Sequence, residues 1–259
     1  MMELYVTNIV VIFIYMTLLF VVAQFLKNNA IVDIGWGIGF VIIAVTSLLS
    51  TQNYYVHAIL VAILVTLWGA RLGIYLLIRA WGKPEDFRYA NFRKQWGKRV
   101  KVIAFFRVFM LQGAIMLVIS YPIIRTIYSD TSGSISGLAV IGAAIWAIGY
   151  FFQVVGDAQL AAFRKRRRSK EEVLTTGLWK YTRHPNYFGE ASMWWGLAII
   201  ALTVPNGYWG ILSALAMNFL LVKVSGVPFL DRRYANNMQY QQYKRVTNRF
   251  IPWLPKRSV

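Results

Sequence analysis

Seven apolar stretches, each near the length that crosses a bilayer as helix, constrain this chain more than any other feature. They run at about 4–26, 34–50, 55–80, 102–128, 137–162, 186–204 and 208–225. A hydrocarbon core about 30 Å thick takes roughly 20 apolar residues in helical form. Hydrophobic residues make up 58% of the chain, above the roughly 45–50% of an ordinary soluble domain, so lipid is the expected solvent for most of it. The expectation is an all-α, polytopic membrane protein with seven transmembrane helices in a single domain. The first stretch follows Glu3 rather than a basic leader and continues to Leu26 without a small-x-small cleavage site, so it reads as a retained helix. The second is short and carries Gly35, Gly37 and Gly39, which suits either close helix packing or a tilted, partly re-entrant segment.

The basic residues set the expected orientation. With 28 Lys and Arg against 10 Asp and Glu, the formal charge is +18, an excess compatible with nucleic acid, anionic lipid or an anionic ligand. Its placement is one-sided. Seven cations lie in 82–101, eight in 164–183 and eight from Lys223 onward, while 51–54, 129–136 and 205–207 hold none. Cytoplasmic loops are enriched in Lys and Arg, and only an odd number of spans gathers all three basic segments on one face. Seven spans with the N-terminus outside and the C-terminus cytoplasmic satisfy that, and nucleic acid is not an expected partner. The run Arg164-Lys165-Arg166-Arg167-Arg168 also suits anionic headgroups of membrane lipids. There is no cysteine and only two histidines, which excludes disulfides and thiolate chemistry and makes a metal site unexpected.

Ionisable groups within or at the edge of a span are costly and mark partners or function. They are Asp33, Arg71, Arg79, Arg107, Asp157 and Glu190, all but Arg71 in the cytoplasmic half by depth. Arg71 and Arg79 are eight residues apart and share a helix face with Tyr75; pairing with Asp33, Asp157 or Glu190 is the structural alternative to a catalytic role. His57 and Arg125 read as interfacial residues without function. Trp81, Trp179, Trp209 and Trp253 fall at span boundaries as anchors, and Trp36, Trp194 and Trp195 lie deeper.

Charged and hydrogen-bonding groups are densest from Asp157 to Glu190. Asp157 and Arg164 are two helical turns apart and share a face if the fifth helix extends beyond the bilayer. Thr175-Thr176-Gly177 signals a turn, and Pro185 suits the first turn of the sixth helix. Asn186 and Glu190 then stand one turn apart. A carboxamide needs an acceptor for its NH2 and a donor for its carbonyl, which this pair can supply; nicotinamide is such a group. The arginines suit a diphosphate and a ribose phosphate, or the anionic parts of another nucleotide.

The segment from Gly177 to Glu190, GLWKYTRHPNYFGE, resembles the C-terminal signature of the steroid 5-alpha-reductase superfamily, including its bacterial members of unassigned substrate. Asp157-x-x-Leu160-x-x-x-Arg164, Ser225-Gly226-x-Pro228, Tyr240-x-x-Tyr243 and Phe250-Ile251-Pro252-Trp253 extend the similarity over roughly residues 150–255. The resemblance implies a multi-pass protein of the bacterial cell membrane, in which helices in 1–128 face a hydrophobic substrate drawn from the bilayer and 137–255 bind NADPH from the cytoplasm. The hydride then passes to a carbon–carbon double bond conjugated with a ketone. Asn186 and Glu190 would hold the nicotinamide amide, and Asp157, Arg164, Tyr181 and Arg183 the ribose and phosphates. Gln153 stands where the family has an amide residue, and His184 and Tyr187 complete the cofactor-binding set. The family also uses a carboxylate near helix 2 with a helix 3 tyrosine. Here Asp33 matches the carboxylate, Trp68 occupies the tyrosine position, and Tyr75 and Arg71 are the candidates to polarise the carbonyl.

The core Arg-His-Pro-x-Tyr-x-Gly is shared with membrane methyltransferases of the isoprenylcysteine carboxyl type, which use S-adenosylmethionine. The presence of both Asn186 and Glu190, and Asp231-Arg232-Arg233 in place of a paired Glu-Glu, favours the reductase. A non-catalytic lipid-binding protein is the third reading.

Overall fold

The computed structural model describes residues 1–169, 171–224 and 234–256, so Ser225-Gly226-x-Pro228 and Asp231-Arg232-Arg233 lie outside the described residues. The described secondary structure is helical. Among the described residues, six helices are long and apolar enough to cross a bilayer: Met2–Phe25, Ile31–Thr51, Val56–Ala80, Phe87–Ile119, Gly137–Arg166 and Gly207–Val224. That is the mark of an integral membrane protein. The expected sixth span forms a helix of 17 residues, Pro185–Ala201. Contacts divide the chain into two compact units, Met1–Ser136 with Ile200–Gly210, and Gly137–Ile199 with Ile211–Val259.

In the first unit, α1 (Met2–Phe25) buries Leu4, Asn8, Ile12 and Met16, one residue per turn along a single stripe. Ile9, Val10, Phe13 and Leu18 stay exposed, as a lipid-facing surface requires. The stripe packs on α2 (Ile31–Thr51): the Asn8 amide donates to Ser47 Oγ at 3.1 Å, and the Tyr15 hydroxyl to the Gly35 carbonyl at 2.8 Å. The second stretch is thus a full regular helix, longer than 34–50. Its glycines serve close packing on several neighbours: a methyl on Gly37 would sit 2.6 Å from the Gly69 carbonyl oxygen of α3 (Val56–Ala80), Gly35 lies against Leu19 and Tyr15 of α1, and Gly39 against Met116.

The expected basic loop 82–101 is partly helix. Asp86 caps α4 (Phe87–Trp96) by accepting from Arg88 N–H, and helical turns continue through α5 (Val100–Ala104) and the wide π-type turns of Phe105–Met110 into α6 (Leu111–Ile119). The fourth span therefore starts earlier than 102 and stops at Ser120, not at 128. Pro122 is the reason: it has no N–H to continue the ladder and its ring crowds the preceding turn. Tyr121–Ser129 forms a separate short helix, α7, burying Pro122 through Ile127.

His57 and Arg125 are engaged inside the protein. Both are buried; His57 Nδ1 lies 3.2 Å from Asp130 Oδ1, and Arg125 Nε–H donates to the Pro205 carbonyl at 2.5 Å. Asp130 Oδ2 also accepts the N–H groups of His57 and Ala58, at 2.7 and 3.0 Å, and so caps α3 from another element. Burial works to raise the Asp130 carboxyl. The hydrogen bonds from Ser132, Ala58 and His57 outweigh it and hold the group below the usual carboxylate range.

In the second unit, α8 (Gly137–Arg166) has 30 residues, about 45 Å at helical rise. It extends four residues beyond the expected 162, which carries Arg164 out to an exposed position. α9 (Pro185–Ala201) runs antiparallel to it through a glycine seam. A methyl on Gly149 would meet the Gly189 carbonyl at 2.6 Å, and one on Gly196 the Gly142 carbonyl at 2.5 Å. Gly142, Gly149 and Gly156 recur every seven residues, two turns, and so share a face. α10 (Gly210–Phe219) and α11 (Met238–Val246) follow, with a C-terminal strap that returns to the head of α9.

Candidate functional site

Backbones that touch along a glycine seam bring short polar side chains within hydrogen-bond reach, and the α8–α9 contact does this with four of the expected residues. Gln153 and Asp157 are one turn apart on α8, as are Asn186 and Glu190 on α9. The Asn186 amide donates to Asp157 Oδ1 at 3.1 Å. The Gln153 amide donates to Glu190 Oε2, and Trp194 Nε1–H to Glu190 Oε1 at 3.1 Å. Gln153, Asp157 and Glu190 are buried and Asn186 is half-buried. Both Glu190 oxygens therefore act as acceptors, one of them for a primary carboxamide.

The loop before α9 is tied to the end of α8 and to the C-terminal strap. Gln159 Oε1 accepts from Leu178 N–H at 2.9 Å, and the buried Trp179 donates its indole N–H to the Gly156 carbonyl at 3.1 Å. Thr182 Oγ1 donates to the Phe250 carbonyl at 2.8 Å, and Arg183 N–H to the Asn248 carbonyl at 2.9 Å. Arg183 is buried with its guanidinium on Tyr240, Nη1 lying 3.5 Å from the hydroxyl oxygen. His184, also buried, stacks on Tyr187 at 5.5 Å and 15°. Burial, with Tyr240 close by, pushes the Tyr243 hydroxyl far above its ordinary range, so it stays a neutral donor to the Trp179 carbonyl, with the Thr182 carbonyl 3.3 Å away. Tyr181 is exposed at the edge of this assembly. Trp194, Tyr240 and Tyr243 thus join the site as the groups that fix Glu190, Arg183 and the loop.

The expected catalytic residues belong to the first unit. Asp33 Oδ2 accepts from Arg88 Nη2 at 2.6 Å and Oδ1 from the Tyr89 hydroxyl at 2.6 Å. Arg88 also donates from Nε to Asp86 Oδ1 at 2.8 Å. Burial acts to raise the Asp86 carboxyl; the hydrogen bonds and charge of Arg88 overcome this and lower it. Arg71 and Arg79 both lie on Tyr75, their guanidinium carbons 4.9 and 5.8 Å from the ring centre. The shared face read from the sequence is therefore real, but the cation that meets Asp33 is Arg88. Trp68 is buried edge-on to Phe40 at 5.4 Å, a packing residue. Arg88 and Tyr89 are not among the residues the sequence singles out, because 82–101 reads there as a loop. The signal was present in Asp86 as a helix cap, which sets Tyr89 on the first turn of a helix.

No curated protein and no solved structure matches the chain. By the match of its model over residues 19–247, the chain belongs to the family described as protein of unknown function DUF1295.

Proposed function

We propose that this chain is an NADPH-dependent membrane reductase of the steroid 5-alpha-reductase type, transferring a hydride to a conjugated carbon–carbon double bond of a steroid-like or other lipid enone. The observation that carries the reading is the carboxamide of Gln153 on Glu190, one turn from Asn186. A nicotinamide amide presents the same NH2 and carbonyl, so the donor set fits it chemically.

In this reading Asn186 and Glu190 hold the nicotinamide amide, with Gln153 beside them. Asp157 takes the ribose, and Arg164, Arg183 and Tyr181 the phosphates, with His184 and Tyr187 stacked behind the loop. NADPH, when bound, supplies the hydride. Tyr240 sets the plane of the Arg183 guanidinium, which favours bidentate phosphate contacts. Trp194 fixes the carboxylate that must accept from the amide.

The proton side falls to the Asp33 cluster. Tyr89 holds a proton at its hydroxyl, 2.6 Å from Asp33 Oδ1, and the Arg88 guanidinium lies 5.3 Å from its ring centre. To act on a substrate this hydroxyl turns its one proton from Asp33 to the carbonyl oxygen as negative charge builds there, while the Arg88 cation steadies both the tyrosinate and the Asp33 carboxylate left without that bond. Arg71 and Tyr75 are further polarising groups.

We further propose that Pro185–Ala201 crosses as the sixth of seven spans in a bacterial cell membrane, with the N-terminus outside and the C-terminus cytoplasmic. Its 17 residues meet the lower limit for a spanning helix, roughly 17, and an odd count puts the three basic segments on one side.

Thermal unfolding of the detergent-solubilised protein, titrated with NADPH and separately with S-adenosylmethionine, tests the proposal. A ligand that binds the folded state raises the midpoint. NADPH is expected to raise it and the methyl donor to leave it unchanged; the reverse pattern would replace the reductase by a methyltransferase.

A further inference from the structure

The strap from Phe250 to Lys256 presents a feature that cofactor chemistry does not require. Ile251, Trp253 and Leu254 are 66, 71 and 71% exposed. The strap is nevertheless held firmly. Trp253 N–H donates to the Tyr181 carbonyl at 3.0 Å, Lys256 N–H to the Val246 carbonyl at 2.8 Å, and the Phe250 carbonyl accepts from Thr182. The Phe250 ring stands 6.3 Å from that of Phe188 in the first turn of α9. These ties set the three apolar side chains at the level where an apolar helix begins, the depth at which tryptophan is favoured at a membrane surface. Tyr181, Pro252, Trp253 and Leu254 line an open cavity of about 260 Å³, room for part of one acyl chain.

The charge beside it is of one sign. Between Tyr234 and Lys256 the charged residues are Lys244, Arg245, Arg249 and Lys256, all exposed, and Lys180 precedes Tyr181. An apolar wedge with these cations next to it in the chain complements an anionic headgroup above an acyl chain.

We infer that the strap and Tyr181 form a docking site for an anionic phospholipid, with the chain against Trp253 and Leu254 and the headgroup phosphate against Arg249, Lys256 and Lys180. The site holds the strap on the bilayer surface. Tyr181 borders both this site and the cofactor reading, but the acyl contact rests on Trp253 and Leu254 and the headgroup contact on Arg249, Lys256 and Lys180, none of which the reductase reading uses.

The chain has no cysteine, so Leu254→Cys in the full-length protein accepts a single environment-sensitive fluorophore at an exposed position. The labelled protein is placed in nanodiscs of phosphatidylcholine alone or with phosphatidylglycerol. Emission is expected to shift to the blue and to be quenched by lipids bearing a nitroxide near the headgroup, more strongly when phosphatidylglycerol is present. Near an anionic surface each basic side chain contributes roughly fivefold in affinity. Arg249→Glu with Lys256→Glu should therefore raise the phosphatidylglycerol content at half-effect at least tenfold while leaving the unfolding midpoint in phosphatidylcholine unchanged. A water-like emission quenched by aqueous iodide in both lipids would overturn the site. So would a blue shift that phosphatidylglycerol and the charge reversals do not alter, since that describes an anchor without headgroup recognition.

Discussion

Asn186 donates its amide N–H to Asp157 Oδ1 at 3.1 Å, across a contact where α9 begins against Gly156 of α8. A methyl on Gly156 would meet Pro185 and the Asn186 backbone at 3.2–3.3 Å. The polar pairs and the glycine seam are thus one device: the seam brings the backbones close, and the closeness lets short side chains reach. In lipid, where an unmade polar contact is costly, each pair also fixes the register of the two helices.

Gly189→Ala tests the seam. Its methyl would lie 2.4 Å from the Gly149 carbonyl oxygen, a backbone atom that can yield only if the helices part. Overpacking of this kind costs about 1–3 kcal/mol. The unfolding midpoint and NADPH affinity are expected to fall together; an unchanged affinity in a destabilised variant would separate the seam from the site.

Tyr89→Phe removes the hydroxyl from Asp33 and leaves the ring in place. Removal of a general acid slows turnover by about 10²–10⁴. NADPH oxidation by an enone substrate is expected to slow on that scale at unchanged NADPH affinity. Wild-type turnover in the variant would move the proton donor elsewhere, to Tyr75 first.

Asp130→Asn probes the cap on α3. Because the folded carboxyl sits below its ordinary range, its contribution is fully present above the unfolded pKa of about 3.9 and is lost as pH falls through the lower folded value. The substitution should cost about 1–3 kcal/mol at neutral pH. Unfolding measured down to acid pH should show the gap from wild type narrowing below about pH 4; a gap constant with pH would contradict the ionic role.

The absence of native cysteine also makes orientation testable. Gly133→Cys is expected to react with a membrane-impermeant maleimide added to intact cells, and Thr175→Cys only after lysis. Reaction of both residues from outside would break the seven-span arrangement.

The long apolar stretches were legible because lipid imposes one length and one composition on every span. The Asn186–Glu190 pair was legible because a single helical turn joins its members. Partnerships between distant segments were not. Nothing local joins Tyr89 to Asp33, 56 residues away, or Asp130 to the start of α3, 73 residues away. The break at Ser120 was carried by Pro122 inside an apolar run, where hydropathy outweighed the proline. The seven-residue glycine spacing of α8 lay in view, yet only the packing of α9 gives it meaning.

Glu190→Gln reads most directly whether Glu190 accepts a hydrogen bond from the carboxamide of NADPH, because the variant keeps shape and volume while replacing one acceptor oxygen by a donor. The dissociation constant of NADPH, measured by titration of the purified variant against wild type, is expected to rise at least tenfold, about 1.4 kcal/mol, with unfolding in the absence of ligand shifted far less. An unchanged dissociation constant would remove Glu190 from the NADPH site.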